Sequence, residues 1–188
     1  MATDAEVIQF HSIDEWESWL ELNHDRPEGV WVKVAKKGSG EPSITITEAL
    51  DGALCIGWID SIRRGLDEKF YLQKYSPRRP KGYWSQVNIE KIERLVAEGR
   101  MRPTGIAQVD AAKADGRWDA AYSAQRTATP PDDLVAALAL DAAASAAFDA
   151  LGKTERFMII LSLEKARTPA LRTKRLAQAI ENLSGNEG

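Results

Sequence analysis

Gly29-Val-Trp-Val-Lys-Val-Ala-Lys36 sets Val30, Val32 and Val34 against Trp31, Lys33 and Ala35. A period of two belongs to a strand with one buried face, because successive side chains leave a strand on opposite sides. Helical patterns flank it. Upstream, Ser12-Ile-Asp-Glu15 reads as a capping box, and Trp16, Trp19 and Leu20 then fall on one face of a short helix ending near Asn23. Downstream, residues 36–42 form a turn or loop, and Thr45 with Glu48 opens a second capped helix that stops at Gly57. Residues 58–63 and 69–75 read as strands joined around Gly65, and Pro77 and Pro80 bracket an extended loop. Ser85 is expected to cap a helix whose stripe is Ile89, Ile92 and Val96, and residues 104–115 form another, stopped by Gly116. A small sheet among several helices predicts an α+β fold.

The composition changes near Tyr122. Ser123-Ala-Gln-Arg-Thr-Ala-Thr-Pro-Pro131 has the character of a linker, and the chain beyond it is rich in Ala. Three caps stand out there, Asp141, Thr154 and Thr168, the last followed by Pro169 at the first helical position. The expected organisation is a mixed domain over residues 7–122, a linker over 123–131 and a three-helix C-terminal unit over 132–184.

With 188 residues and 44% hydrophobic content, the chain is long enough to bury a core. Its net charge of −3 argues against bulk affinity for nucleic acid, yet the charge is unevenly spread. Residues 61–102 hold 11 Lys and Arg against 5 Asp and Glu, a net of +6, so the remainder carries −9. Such a middle steers an anion to one surface. A single cysteine, Cys55, allows no intrachain disulfide, and residues 1–10 lack the basic start and apolar run of a signal peptide. The expected compartment is cytoplasmic. No segment is apolar over the roughly 20 residues that a membrane span needs.

The candidate site lies where aromatics and cations crowd together: Trp58, Asp60 and Arg63, then Arg78, Arg79, Lys81, Trp84, Ser85 and Asn88. Arg78 and Arg79 have the planar fork that grips a carboxylate or phosphate, and the helix start at Ser85 offers free N–H groups beside Lys81. Ion pairs with acids of the flanks explain the same arginines equally well. Trp84 is the better candidate for a stacking surface, and Trp58 reads as core. Asp60 suits a general base or an ion pair with Arg63, Arg64 or Arg78. Cys55 lies in an apolar helix end, where a thiol is usually a small buried hydrophobe. His11 and His24 stand 13 apart with no carboxylate cluster, and Gly38-Ser39-Gly40 is no nucleotide-binding signature. Neither a metal nor another cofactor is expected, and no catalytic residue is assigned.

Ala53-Leu-Cys-Ile-Gly-Trp-Ile-Asp60, Pro77-Arg-Arg-Pro-Lys-Gly-Tyr-Trp-Ser-Gln-Val-Asn88, Gly99-Arg-Met-Arg-Pro-Thr-Gly105 and Ala114-Asp-Gly-Arg-Trp-Asp-Ala-Ala-Tyr122 occur in this order. In these motifs the chain resembles the YdeI/OmpD-associated, or bacteriocin-protection, family. The resemblance runs on through Ala147-Phe148, Glu164-Lys-Ala166 and residues 168–175, which look like that family's small helical domain. Ile56 stands where an aromatic is common in it, Ser61 where Gly is and Gly82 where Ser is. The resemblance implies resistance to bacteriocins or antimicrobial peptides and assigns no reaction. The first expectation is therefore a non-enzymatic binding or protective protein that recognises a peptide or small anionic ligand at an aromatic-cationic surface. An enzyme acting on a phosphate- or carboxylate-bearing small molecule stands second, with Asp60 as acid or base. Binding of single-stranded nucleic acid by Tyr83 and Trp84 stands third.

Overall fold

A computed structural model describes residues 5–185. Among them the elements run β1 (Val7–Ile8), α1 (Ile13–Asn23), β2 (Val30–Ala35), α2 (Ile46–Cys55), β3 (Trp58–Gly65), β4 (Phe70–Pro77), α3 (Gln86–Ala97) and α4 (Pro103–Ala114). Four further helices follow: α5 (Asp132–Ala139), α6 (Ala142–Ala150), α7 (Lys153–Glu164) and α8 (Pro169–Ser184). The fold is α+β. The chain divides into two compact units, one running to Gly82 and resuming from Asn88 to Asp119, the other taking Tyr83–Val87 and the chain from Ala120 onward.

The first unit is built on a four-stranded sheet in the order β1-β2-β4-β3, with β1 parallel to β2 and the other pairs antiparallel. Val30, Val32, Val34, Trp58 and Tyr75 point from one face into a core with Trp16 and Leu20 of α1 and Ala49 and Ala53 of α2. The Val alternation in β2 sets which face that is, because a shift of one residue would turn the valines outward. Thr45 and Glu48 close the capping box of α2 as expected. Ser12 caps α1, but the Glu15 carboxylate accepts from the His11 N–H, one residue earlier than a capping box requires. Asp51 of α2 is buried and holds α3 by ion pairs to Lys91 at 3.5 Å and Arg94 at 2.5 Å. Ile92 and Leu95 are the buried positions of α3, whereas Val96, expected in its stripe, is exposed.

In the second unit, α5–α8 enclose Leu134, Leu138, Ala144, Phe148, Ile160, Leu163 and Leu183. Arg172 of α8 donates to both oxygens of Asp133 on α5, at 2.6 and 2.8 Å, and holds that carboxyl below its ordinary range. The sequence reading missed α5, because its Asp132 and Asp133 follow the Pro130-Pro131 pair that reads as the end of a linker. Residues 123–131 are not a free spacer. The Glu164 carboxylate accepts from the Ser123 N–H at 2.9 Å and hydroxyl at 2.7 Å, and Ala128 packs on the helical core. Gly152, not Thr154, is the N-cap of α7, with its N–H donated to Glu155, while the Thr154 hydroxyl accepts from Gln125. Tyr83 is tied to this unit by its hydroxyl, which donates to the Lys165 carbonyl at 3.1 Å, and the Lys165 ammonium lies over Tyr83 and Tyr122.

Gly105 lets α4 approach the end of α2. A Cβ there would stand 2.2 Å from the Cys55 carbonyl oxygen and 2.8 Å from its carbon, and backbone yields little. Gly105→Ala is expected to lower the stability of the first unit by about 1–3 kcal/mol through overpacking, read from the denaturant midpoint. Gly65→Ala serves as control, since a Cβ there meets nothing within 4 Å. Equal midpoints for the two variants would show that α4 can slide away without cost.

Candidate functional site

The nine residues singled out in the sequence do not form one exposed surface. Trp84 and Ser85 belong to the second unit, and the other seven belong to the first. Trp58 is core, 1% exposed, with its indole N–H donated to the His24 carbonyl at 2.8 Å. Trp84 is 2% exposed, so it offers no face for stacking, contrary to expectation. Ser85 is buried and forms a β-bridge with Tyr122. The Gln86 N–H, expected to be free for an anion at the helix start, donates to the Tyr122 carbonyl at 2.9 Å. That removes a main donor from the anion site predicted there. Asn88 is half-buried on the first turn of α3.

Asp60, Arg63 and Arg78 do come together. Asp60 pairs with Tyr75 across β3 and β4, and the charges of Arg78, Arg63 and Lys91 all act on its carboxylate. Arg63 and Arg78 are cations that the sequence sets near Asp60, and Lys91 of α3 joins them. Its carboxyl is raised above the ordinary range. Crowding by surrounding atoms is the chief cause and outweighs both its backbone hydrogen bond and the three cations, although its outer edge still meets solvent. The Tyr75 hydroxyl is fully buried with no hydrogen-bond partner among the described residues, and burial followed by the Asp60 charge pushes its pKa up. Arg63 lies over the Tyr71 ring at 4.7 Å and donates from Nε to Gln73. Arg78 is buried, with its N–H donated to Gly57, whereas Arg79 and Lys81 are exposed on the turn that follows. Cys55 is buried and its thiol is pushed up to about 11, chiefly by desolvation, so it stays protonated at neutral pH and is a poor nucleophile.

A second gathering of aromatics and cations went unrecognised in the sequence. It lies on the sheet face turned away from α1 and α2, where Trp31 and Lys33 of β2, Phe70, Leu72 and Lys74 of β4 and Arg64 of β3 share one side by their register. Among the described residues of the first unit no helix packs across it. The Arg64 guanidinium lies 4.6 Å and the Lys74 ammonium 5.7 Å from the Trp31 ring centre, and the Lys33 ammonium lies 3.8 Å from that of Phe70. None of these three cations has an ion-pair partner among the described residues. The signal was present as a Trp and a Lys on the outward parity of β2, but it becomes a surface only once the pairing of β2, β4 and β3 is known. Among the described residues no three His, Cys, Asp or Glu side chains gather as a metal ion would need, and no helix is long and apolar enough to cross a membrane.

Residues 8–108, more than half of the chain, match the model of a family described as a domain of unknown function, DUF8412, and the chain belongs to that family. Residues 127–186 match the family described as Bacteriocin-protection, YdeI or OmpD-Associated. The resemblance noted in the sequence is thus supported over the C-terminal helices, while the motifs from Ala53 to Gly105 fall under the other model. Neither the curated proteins nor the solved structures provide a match.

The raised carboxyl of Asp60 fixes the sign of a pH effect. It binds its proton more tightly folded than unfolded, so ionising it costs stability. That cost grows as pH rises from the unfolded value, about 4, through the folded one, and is constant above it. Asp60→Asn is therefore expected to be at least as stable as wild type at pH 7, with any advantage disappearing toward about pH 4. Denaturant midpoints across that range check this. A loss of several kcal/mol at pH 7 would restore Asp60 as the essential partner of a buried arginine.

Proposed function

We propose that the protein is a non-enzymatic binding and protective protein of the bacteriocin-protection type, which recognises an acidic peptide at the aromatic-cationic face of its sheet. The C-terminal family match supports the protective role. The peptide reading is carried by one observation: Lys33, Arg64 and Lys74 are seated on aromatic rings of one sheet face, and among the described residues no carboxylate lies within 4 Å of any of them, although the charge of Asp67 reaches Lys33. Like charges held together on a surface repel, and an incoming anion relieves that repulsion. Trp31 and Phe70 are only 8% and 7% exposed, so they hold the cations in place rather than stack on a ligand. This disfavours single-stranded nucleic acid, whose binding sites usually present open aromatic faces to bases. Leu72 and exposed Ile62 and Val7 add apolar surface between the charges, which suits a peptide alternating acidic and apolar side chains.

The second reading, an enzyme on a small acid, is favoured by one feature. The raised carboxyl of Asp60 and the partnerless hydroxyl of Tyr75 lie on paired positions beside Arg63 and Arg78. The two readings use opposite faces of the sheet, so mutations separate them.

A peptide alternating Glu with Val is expected to bind saturably, with affinity that weakens as salt rises past the physiological range, where charges are screened beyond about 8 Å. Arg64→Glu with Lys74→Glu should weaken it at least about tenfold, roughly 1.4 kcal/mol. The same double variant should lose any protection that the wild-type chain gives a bacterial host against a bacteriocin, while Asp60→Asn should keep both properties. Tighter binding of an oligothymidylate than of the peptide, or unchanged peptide affinity in the double variant, would defeat the proposal. Loss of both properties in Asp60→Asn alone would favour the other face.

A further inference from the structure

The second unit contains a cavity of about 650 Å³, within the span of roughly 300–1,000 Å³ usual for small-molecule sites. One stripe of α7 forms much of its wall. Lys153, Arg156, Phe157 and Ile160 recur at the spacing of a single helical face. Phe148 of α6, Ala128 and Pro130 add apolar lining, Gln125 and Arg126 add polar lining, and none of the lining residues is acidic.

The charge in this cavity is held in place. Arg156 donates from Nε to the Leu151 carbonyl at 3.0 Å and from Nη2 to the Asp149 carbonyl, and its guanidinium lies 5.7 Å from the centre of the Phe148 ring. Neutral carbonyls position the guanidinium without cancelling its charge. Neither Arg156 nor Lys153 has a carboxylate partner among the described residues. Lys153 is also the first residue of α7, whose N-cap N–H at Gly152 is already donated to Glu155, so its side chain rather than the helix start supplies the charge. A lining that joins apolar side chains to the cations Arg126, Lys153 and Arg156, with no acid among them, fits a molecule with an apolar body and an anionic group.

We propose that this cavity binds a soluble amphiphile with an apolar body and a single anionic group, a carboxylate or phosphate. Its apolar body lies against Phe148, Phe157 and Ile160, and its anionic group meets Lys153 and Arg156. The site shares no residue with the sheet face of the first unit and stands or falls independently of it. A cleft of about 500 Å³ on the opposite side of α7, lined by Met158, Ile159 and Leu183, provides an internal control.

Decanoate, decyl phosphate and the neutral decanol serve as probes of the full chain, with affinities from calorimetry and binding positions from amide NMR shifts. Decanoate and decyl phosphate are expected to bind at least about tenfold more tightly than decanol, with shifts centred on Arg156 and Ile160. Lys153→Glu, a change at an exposed helix start, should abolish that preference, and Phe157→Ala should weaken all three probes alike. Equal affinity for decanoate and decanol would overturn the proposal. So would a preference that persists in Lys153→Glu, or shifts centred on Met158 and Ser162 instead.

Discussion

Trp31 stands on the uncovered face of the sheet, and Arg64 and Lys74 lie over it. Hiding most of an indole, roughly 200 Å², contributes about 5 kcal/mol at roughly 25 cal/mol per Å², whereas each exposed cation–π contact adds about 0.5–1 kcal/mol. Apolar cover therefore dominates, and the attraction of charge to ring sets where the charged ends come to rest. Long stems that shield carbon while keeping their heads in water are what Arg and Lys provide. The arrangement shields the outer side of the sheet and leaves three charges at fixed positions.

From this follows a division between the two faces. On the inner face, Asp60 is exposed yet harder to ionise, chiefly through desolvation by the atoms around it, and the buried Tyr75 hydroxyl has no partner among the described residues. On the outer face, the cations remain charged and reachable. The outer face is thus better suited to reversible binding, and the inner one to chemistry that needs a carboxyl of altered acidity. That asymmetry is why binding ranks above catalysis here.

Much of the fold was legible, because local signals agreed with tertiary need. The alternation of Val30, Val32 and Val34, the Thr45–Glu48 box and the stop at Gly57 each need only neighbours in sequence to be read, and each stands as expected. The site was less legible, for the opposite reason. Trp84 looked like an exposed aromatic beside cations, but nothing local shows that Tyr122 pairs with its neighbour Ser85 and that its ring is buried. Arg64 stood only as a possible partner of Asp60, and strand register instead places it with Lys74 over Trp31. The helix α5 was lost because Pro130-Pro131 is a linker signal and an N-terminal helix signal alike, and only its packing against α6 and α8 distinguishes the two.

Two family models match separate stretches of this chain, and its two compact units hold their cations in different geometries. In the sheet, register brings cations from three separate strands onto one face, so the surface is broad and its charges are spaced by strand separation, about 4.8 Å per step. In the helical unit, α7 alone brings Lys153 and Arg156 to one stripe beside apolar side chains of the same cavity. A broad row of charge discriminates poorly among small molecules but matches an extended chain that carries repeated acids. Charge gathered on one helical stripe beside apolar side chains suits a compact molecule that carries both. The difference in geometry, rather than in net charge, is why we propose a peptide for the first unit and a small amphiphile for the second.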